Sequence, residues 1–232
     1  MKKVAILQSN YIPWRGYFDI LSNADEFILY DEVQYTKNDW RNRNKIKTAG
    51  GSIWLTIPVL SSSSMRISDV QIVNSFWQKK HYKSITESYS KAPFYKQVKP
   101  MLEEVYLESD YALLSEANLK CLEYITAFLG ISTKITPSSD FAKTAFDRNQ
   151  RLVELVKHVG GDTYLTGPSA LRYLNIEMFR ANGITVECID YTYYSEYPQL
   201  HGVFDPGVSI IDTIMMLGRD AKITFLGAFD AI

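Results

Sequence analysis

Clustered metal ligands, disulfide frameworks and long apolar runs are all missing from this chain. It has 2 cysteines and 3 histidines in 232 residues. Cys121 and Cys188 lie too far apart for a metal-ligand spacing, and His81, His158 and His201 supply no zinc set. Both cysteines read as small packed hydrophobes in a reducing cytoplasm. No apolar stretch approaches the ~20 residues of a membrane span. The N-terminus runs straight into a strand pattern with no signal-peptide profile. Cytoplasmic localisation is the expectation. Charge of one sign is also lacking: the net charge is -1, which argues against whole-molecule attraction to DNA or an acidic membrane. There is no Walker loop, no G-x-G-x-x-G after the first strand, no G-x-S-x-G and no H-E-x-x-H. Kinase, dinucleotide oxidoreductase and zinc hydrolase chemistry are thereby disfavoured.

Aromatic residues are present in quantity: 16 Tyr, 11 Phe and 4 Trp. Rings with a polar tip suit sugar or base stacking, and equally a Tyr-rich core. The chain is organised around residues 4–47. An apolar run at 4–7 does not alternate, so it reads as a strand buried on both faces. It ends in Gln8, Ser9 and Asn10. A turn with Tyr11, Pro13, Trp14 and Gly16 follows, then a short helix from Tyr17 and a second strand over 26–30, which ends in Asp31 and Gln34.

Further along, 52–60 reads as a third strand ending at Pro58, residues 61–64 as a serine loop, and 67–73 as a half-exposed alternating strand. Three helices are expected at 77–90, 96–107 and 111–129, with Gly130 stopping the last. Strands at 133–136, 163–166 and 185–189 then alternate with helices at 148–159, 176–181 and 209–217. Ser209 is the expected N-cap of the last helix, with Asp212 close to a capping box. The pattern predicts an α/β fold: a mostly parallel sheet with helices on both faces, of the nucleotide-binding, HUP-like kind, plus a helical insertion. The domain reading is 1–75 and 131–232 for the two parts of the α/β unit, with 76–130 as insertion or lid.

In open α/β sheets ligands bind outside the carboxyl ends of the strands. The residues expected to converge there are Gln8 and Asn10, Asp31 and Gln34, Ser138 and Ser139, and Gly167 and Ser169. Ordinary turn and capping roles are the alternative. The segment Trp40, Arg41, Asn42, Arg43, Asn44, Lys45, Lys47 places alternate basic residues on one side if extended. That pattern suits a phosphate or carboxylate clamp, or a solvated basic face. His81 and Asp31 are the candidates for proton transfer. His158, at a helix end, reads as structural. The tyrosine-rich loop at 191–201 either walls a pocket or packs on the surface.

The stretches QSNYIPWRGYFDI, DEVQYTKNDWRNRNKIKT and WLTIPV resemble the WbqC-like family. The resemblance continues through Trp77 to His81, SYSKAPFY, the strand end at 163–167, YPQ and SIIDTIMMLG, so it covers nearly the whole chain. The positions matching the family's motifs are Gln8, Tyr11, Pro13, Trp14, Gly16, Tyr17, Asp31, Gln34, Arg41, Asn42, Arg43, Trp54, His81 and Gln199. Residue 9 is Ser where the family pattern has Pro. Such proteins occur in gene clusters for O-antigen and other surface polysaccharides, and a glycine transferase role has been proposed for them. More distantly, the strand, P-x-x-G-aromatic loop, helix order is similar to nucleotidylyl transferases and pantothenate synthetase. Their loop carries a histidine pair over the ATP phosphates. Here the loop has no histidine, and Tyr17 stands where the second would be.

Two readings follow. One is an acyl or aminoacyl transferase acting on a sugar or nucleotide-sugar, with ATP or a CoA ester as the candidate cofactor. In that reading Arg41, Arg43 and Lys45 hold phosphates or a carboxylate, and Tyr11, Trp14 and Trp40 stack on the sugar or base. The other is a non-catalytic module that recognises a nucleotide-sugar or a partner enzyme.

Overall fold

The computed structural model describes residues 1–232 except Ser63 and Phe146. The first apolar run forms β1 (Lys3–Leu7) and leads through the Pro13 turn into α1 (Arg15–Ser22), then β2 (Glu26–Leu29). The later α/β repeats are β7 (Lys134–Pro137), α5 (Arg148–His158), β8 (Thr163–Thr166), α6 (Ile176–Ala181) and β9 (Thr185–Asp190). After them come α7 (Ile210–Leu217) and β10 (Ala228–Ala231). The sheet order is β10-β9-β8-β1-β2-β7, with every neighbouring pair parallel except β10 against β9. Taken in chain order, the parallel strands read 3-2-1-4-5 across the sheet. That is a doubly wound, nucleotide-binding-like arrangement whose direction of winding reverses between β1 and β8.

Alternate residues of β1 explain its unbroken hydrophobicity. Val4 and Ile6 enter one buried cluster with Leu152, Val156 and Phe179 of α5 and α6. Ala5 points the other way, into a larger cluster with Phe18 and Leu21 of α1 and Ile211 and Ile214 of α7. Both faces are dry, so neither tolerates the polar alternation of a one-sided sheet.

Between β2 and β7 the chain leaves the sheet for about a hundred residues and builds the rest of the larger core. The hairpin β3 (Arg43–Thr48) and β4 (Gly51–Thr56) stands as its own two-stranded sheet. This corrects the expectation of one strand over 52–60. β4 ends before Pro58, and Val59–Leu60 is a separate short strand, β5, pairing with β6 (Gln71–Ile72). The alternation at 67–73 is a strand only over β6, Gln71–Ile72. Ile67 and Val70 are both fully buried, three residues apart, because a 3-10 turn over Ile67–Asp69 brings them to one side. Of the serine loop at 61–64, Ser63 lies outside the described residues.

The three insertion helices are α2 (Phe76–Tyr89), α3 (Tyr95–Leu107) and α4 (Leu114–Leu129). α4 begins three residues later than expected, because Glu116 accepts hydrogen bonds from the Ala112 and Leu113 N–H groups. It ends at Gly130, whose φ of 65° is the left-handed stop that a glycine supplies. Ile85, Leu102, Val105, Leu122 and Ile125 bury into the same cluster as α1 and α7. Each such side chain removed from water contributes ~1.5–3 kcal/mol, which holds the helical block against the sheet.

At the C-terminal end two expectations change. β10 adds an antiparallel edge beyond β9, which read as the last strand in the sequence. Ser209 caps α7 through its hydroxyl, which accepts from the Ile211 N–H. Asp212 does not complete a capping box. It is fully buried and accepts from the hydroxyls of Tyr89 and Tyr197.

Candidate functional site

Parallel pairing of β8, β1, β2 and β7 sends their carboxyl ends to one edge of the sheet. The polar residues expected there do gather at that edge, but in separate places. A cavity of ≈ 830 Å³ opens at the carboxyl ends of β1 and β2. Gln8 and Gln34 line it, together with Tyr30, Lys37, Lys143 and Arg148. The N-terminus of α5 borders it: Asp147 caps that helix, accepting from the Asn149 and Gln150 N–H groups. Arg148 lies in the first turn with its guanidinium 3.7 Å from the centre of the Tyr173 ring. Lys143 lies 3.3 Å from Glu32 and is half-exposed.

Arg151 forms the floor of this cleft and is only 2% exposed. It donates in a fork to Glu32 at 3.0 and 2.9 Å and to Glu154 at 2.6 Å, and also to three backbone carbonyls. Burial works against ionised Glu32, but the Arg151 and Lys143 contacts outweigh it and hold the carboxyl below its usual range. Arg151 is therefore spent inside the fold. Arg148, Lys143 and Lys37 are the cations the cleft presents.

Asp31, Ser138 and Ser139 line a neighbouring pocket of ≈ 390 Å³ with Arg66 and Glu116, and Lys143 reaches both cavities. Asp31 accepts from the Ser9 backbone N–H at 2.8 Å. Burial raises its pKa, opposed by the Ser9 hydrogen bonds and by the nearby Arg41 charge. A carboxylate raised in this way is suited to taking a proton.

A third recess, ≈ 190 Å³, is bounded by Asn10, Pro13, Trp14, Trp40, Asn44 and Gly207. Gly16 is required beneath it, since a Cβ there would sit 2.3 Å from the Trp14 ring. Tyr17 donates from its hydroxyl to the Gln8 carbonyl and braces the end of β1 from below.

Tyr11 and His81 are inside the core. The Tyr11 hydroxyl lies 2.8 Å from His81 Nδ1 and 2.6 Å from the Tyr106 hydroxyl. Thr56 supplies a backbone partner for the ring as well. With the other nitrogen donating to that carbonyl, Nδ1 accepts from Tyr11. Burial, and secondarily Lys80, depress the His81 pKa to about 4, so the imidazole is neutral at pH 7. At 2% exposure it has no opening toward any of the three cavities.

The basic segment is extended only from Arg43 onward, and its charges already have partners. Arg41 pairs with Asp39 at 2.7 Å, and Arg43 stacks 4.4 Å from the Trp54 ring centre. Lys45 pairs with Asp205 at 3.2 Å, and buried Lys47 donates to the Gln199 side chain at 2.8 Å and to the Val203 carbonyl. Asn42 donates to the Ile57 carbonyl, and Gly167 packs against the Tyr191 hydroxyl. Gln199 thus belongs to the seam that ties the 197–207 loop to β3.

Lys37, Lys143, Arg148 and Tyr30 escaped the sequence reading of the site. Lys143 and Arg148 follow a strand end, as the anticipated residues do, but a full loop further on. Extending the strand-end search through each connecting loop to the next helix would have found both.

The sequence model of the WbqC-like protein family matches residues 8–224. The "Uncharacterized protein Rv1507c" of Mycobacterium tuberculosis is 42% identical over 223 residues, covering 95% of this chain and 96% of that protein. No solved structure matches.

Proposed function

The chain belongs to the WbqC-like protein family, and we propose that it is a cytoplasmic transferase of surface-polysaccharide (O-antigen) assembly. Its anionic substrate, a nucleotide-sugar, binds at the carboxyl edge of the sheet. The group moved is acyl or aminoacyl, with glycine as the candidate, and the acceptor is the sugar. The observation that carries this reading is the ≈ 830 Å³ cleft above β1 and β2, with Lys37, Lys143 and Arg148 on its wall. Phosphates favour such a place, because cations line it and it lies at the carboxyl ends of parallel strands, where open α/β sheets bind ligands. Asp31, raised by burial and sharing Lys143 with the cleft through the adjoining pocket, is the group assigned to accept the proton of the attacking sugar hydroxyl or amine. His81 is assigned a packing role.

One observation favours a second reading, a nucleotide-sugar-binding module without turnover. Both anticipated proton-transfer residues are buried, and neither lines the large cleft. A thermal-shift series with UDP- and dTDP-sugars, ATP, a CoA ester and glycine tests binding. Mass spectrometry of the sugar after incubation with each acyl donor tests turnover. The expected result is stabilisation by a nucleotide-sugar that is weakened in Arg148→Ala, plus a mass gain on the sugar that Asp31→Asn abolishes. Stabilisation with no mass gain from any donor supports the binding module. No stabilisation by any of these ligands overturns both. A shift with ATP alone, lost in Arg148→Ala, favours adenylate-forming activation.

A further inference from the structure

The recess between Trp14 and Trp40 lies apart from the basic cleft, and the two share no lining residue. Three independent features mark it as built for a ligand. The first is its backbone. Ile12 has a φ of 36°, which a β-branched residue adopts only under constraint. The constraint is visible: the Ile12 carbonyl accepts from Asn44 Nδ2 at 3.0 Å and from the Ser209 hydroxyl at 2.7 Å. The Pro13 carbonyl accepts from the Ile210 N–H at 2.9 Å. The strain is thus maintained by three hydrogen bonds, from β3 and the start of α7, on the turn that forms one wall, and such strain concentrates at ligand-holding sites.

The second feature is an orphan acceptor. Asn10 lines the recess, and its Oδ1 is buried with no hydrogen-bond partner. The Asn44 amide beside it is fully used, by the Tyr11 and Ile12 carbonyls and the Lys45 N–H. A buried carbonyl left without a donor is destabilising, and a ligand hydroxyl would satisfy it. The third feature is the pair of indoles. Trp14 is held by Tyr191 at 4.9 Å and by the bare backbone of Gly16. Trp40 is 43% exposed and lies 5.5 Å from Trp54, which is 45% exposed and carries the Arg43 guanidinium on its ring. Two adjacent exposed tryptophans continue the ring surface outward from the recess.

We propose that this recess is a second binding site, taking the neutral pyranose ring of a sugar. A pyranose presents an apolar C–H face for an indole and hydroxyl donors around its rim for Asn10. The volume, ≈ 190 Å³, is below the ~300 Å³ at which drug-sized pockets begin, so it suits one ring. Lys45 and Asp205, beside Gly207 on the recess wall, neutralise each other, which favours an uncharged guest. Identifying that ring as the acceptor of the transfer rests on the transferase reading. The recess taking a pyranose does not.

The test is saturation-transfer difference NMR on the full chain with methyl glycosides of glucose, galactose, mannose and N-acetylglucosamine, and with uridine. The proteins are wild type, Asn10→Ala, Trp40→Leu and Arg148→Ala, each also assayed for UDP-induced thermal shift. Trp40→Leu keeps an apolar side chain without a ring face. Expected is transfer to the ring C–H protons of at least one glycoside, weakened tenfold or more in Asn10→Ala and Trp40→Leu, and intact in Arg148→Ala. The UDP shift persists in the two recess variants, which also reports that they are folded. No transfer to any glycoside, transfer surviving in either recess variant, or binding of uridine in place of the glycosides overturns the proposal. A UDP shift missing in wild type, or undiminished in Arg148→Ala, with glycoside binding intact would sink the cleft assignment alone.

Discussion

Two groups of cations sit within the same protein and do different things. Those of β3 and its approach, Arg41 to Lys47, are regularly spaced in sequence, yet each is engaged: Arg41 by nearby Asp39, Arg43 by the Trp54 ring, and Lys45 and Lys47 by the 199–205 loop. Those of the strand-edge cleft, Lys37, Lys143 and Arg148, are scattered over more than a hundred residues and share one open wall. Regular spacing reported a strand whose polar face needed internal counter-charges. Availability for a ligand goes with facing the open wall, even where the side chain already touches a neighbour, as Lys143 does Glu32 and Arg148 the Tyr173 ring. Arg151 stands between the groups: it lines the cleft but is consumed by Glu32 and Glu154.

The sharpest way to break this comparison is Arg151→Ala. It would leave the partly buried carboxylates of Glu32 and Glu154 and three backbone carbonyls without their buried guanidinium, so ~3–5 kcal/mol of stability should be lost in urea denaturation. At about 2–4 °C per kcal/mol for a chain of this size, the Tm should fall by roughly 10 °C. A loss below 1 kcal/mol would move Arg151 into the ligand-facing group.

Next in size is the pH dependence of the closed core. His81 has its folded pKa depressed to about 4 by burial, against ~6.5 when unfolded. Between those values the unfolded chain binds more protons, so stability rises with pH across that window. The contribution is complete above pH 6.5 and is lost as pH falls toward 4, by about 3 kcal/mol over the window. Denaturation at stepped pH should show this slope in wild type, and His81→Gln should flatten it. An unchanged slope would mean that other groups account for the acid sensitivity.

Lys47→Met should cost ~1.5–3 kcal/mol, because Gln199 and the Val203 carbonyl lose a charged donor. UDP affinity measured by calorimetry should stay the same. A drop in affinity with unchanged stability would put the β3 cations at the ligand after all. Smallest is Arg148→Ala: stability within about 0.5 kcal/mol and UDP affinity weaker by about tenfold, or ~1.4 kcal/mol. The wild-type affinity should also fall with added salt, since the cleft is open to solvent.

The doubly wound sheet was legible because its signals are local. The unbroken apolar runs of β1, β2 and β8 need burial on both faces, and Ser209, Asp147 and Gly130 punctuate helices through their own side chains or backbone freedom. β10 was not legible. As a short antiparallel edge it is only half-covered, so its pattern carries little hydrophobic period. The 52–60 region misled because one strand stops before Pro58 and another starts directly after it, at Val59. In the site, the strand-end rule located Gln8, Asp31, Gln34, Ser138 and Ser139 at the proper edge. It did not show that they would divide between two cavities, which depends on where Lys143 and the loop before α5 fall.

His81 marks the boundary between the two kinds of information. Its sequence neighbours, Trp77 and two lysines, fit a helix start beside a pocket as well as a packed interior. Only the approach of Tyr11 and Tyr106, 70 and 25 residues away in the chain, closed it off. The sequence by itself determined the α/β class, the parallel strands, the helix limits and the edge of the sheet at which polar groups collect, since periodicity, caps and turns act over a few residues. Which charges pair, which rings are covered, and where Asn10 is left without a partner were decided by tertiary structure. Those outcomes depend on contacts between segments far apart in the chain, and no local pattern encodes them.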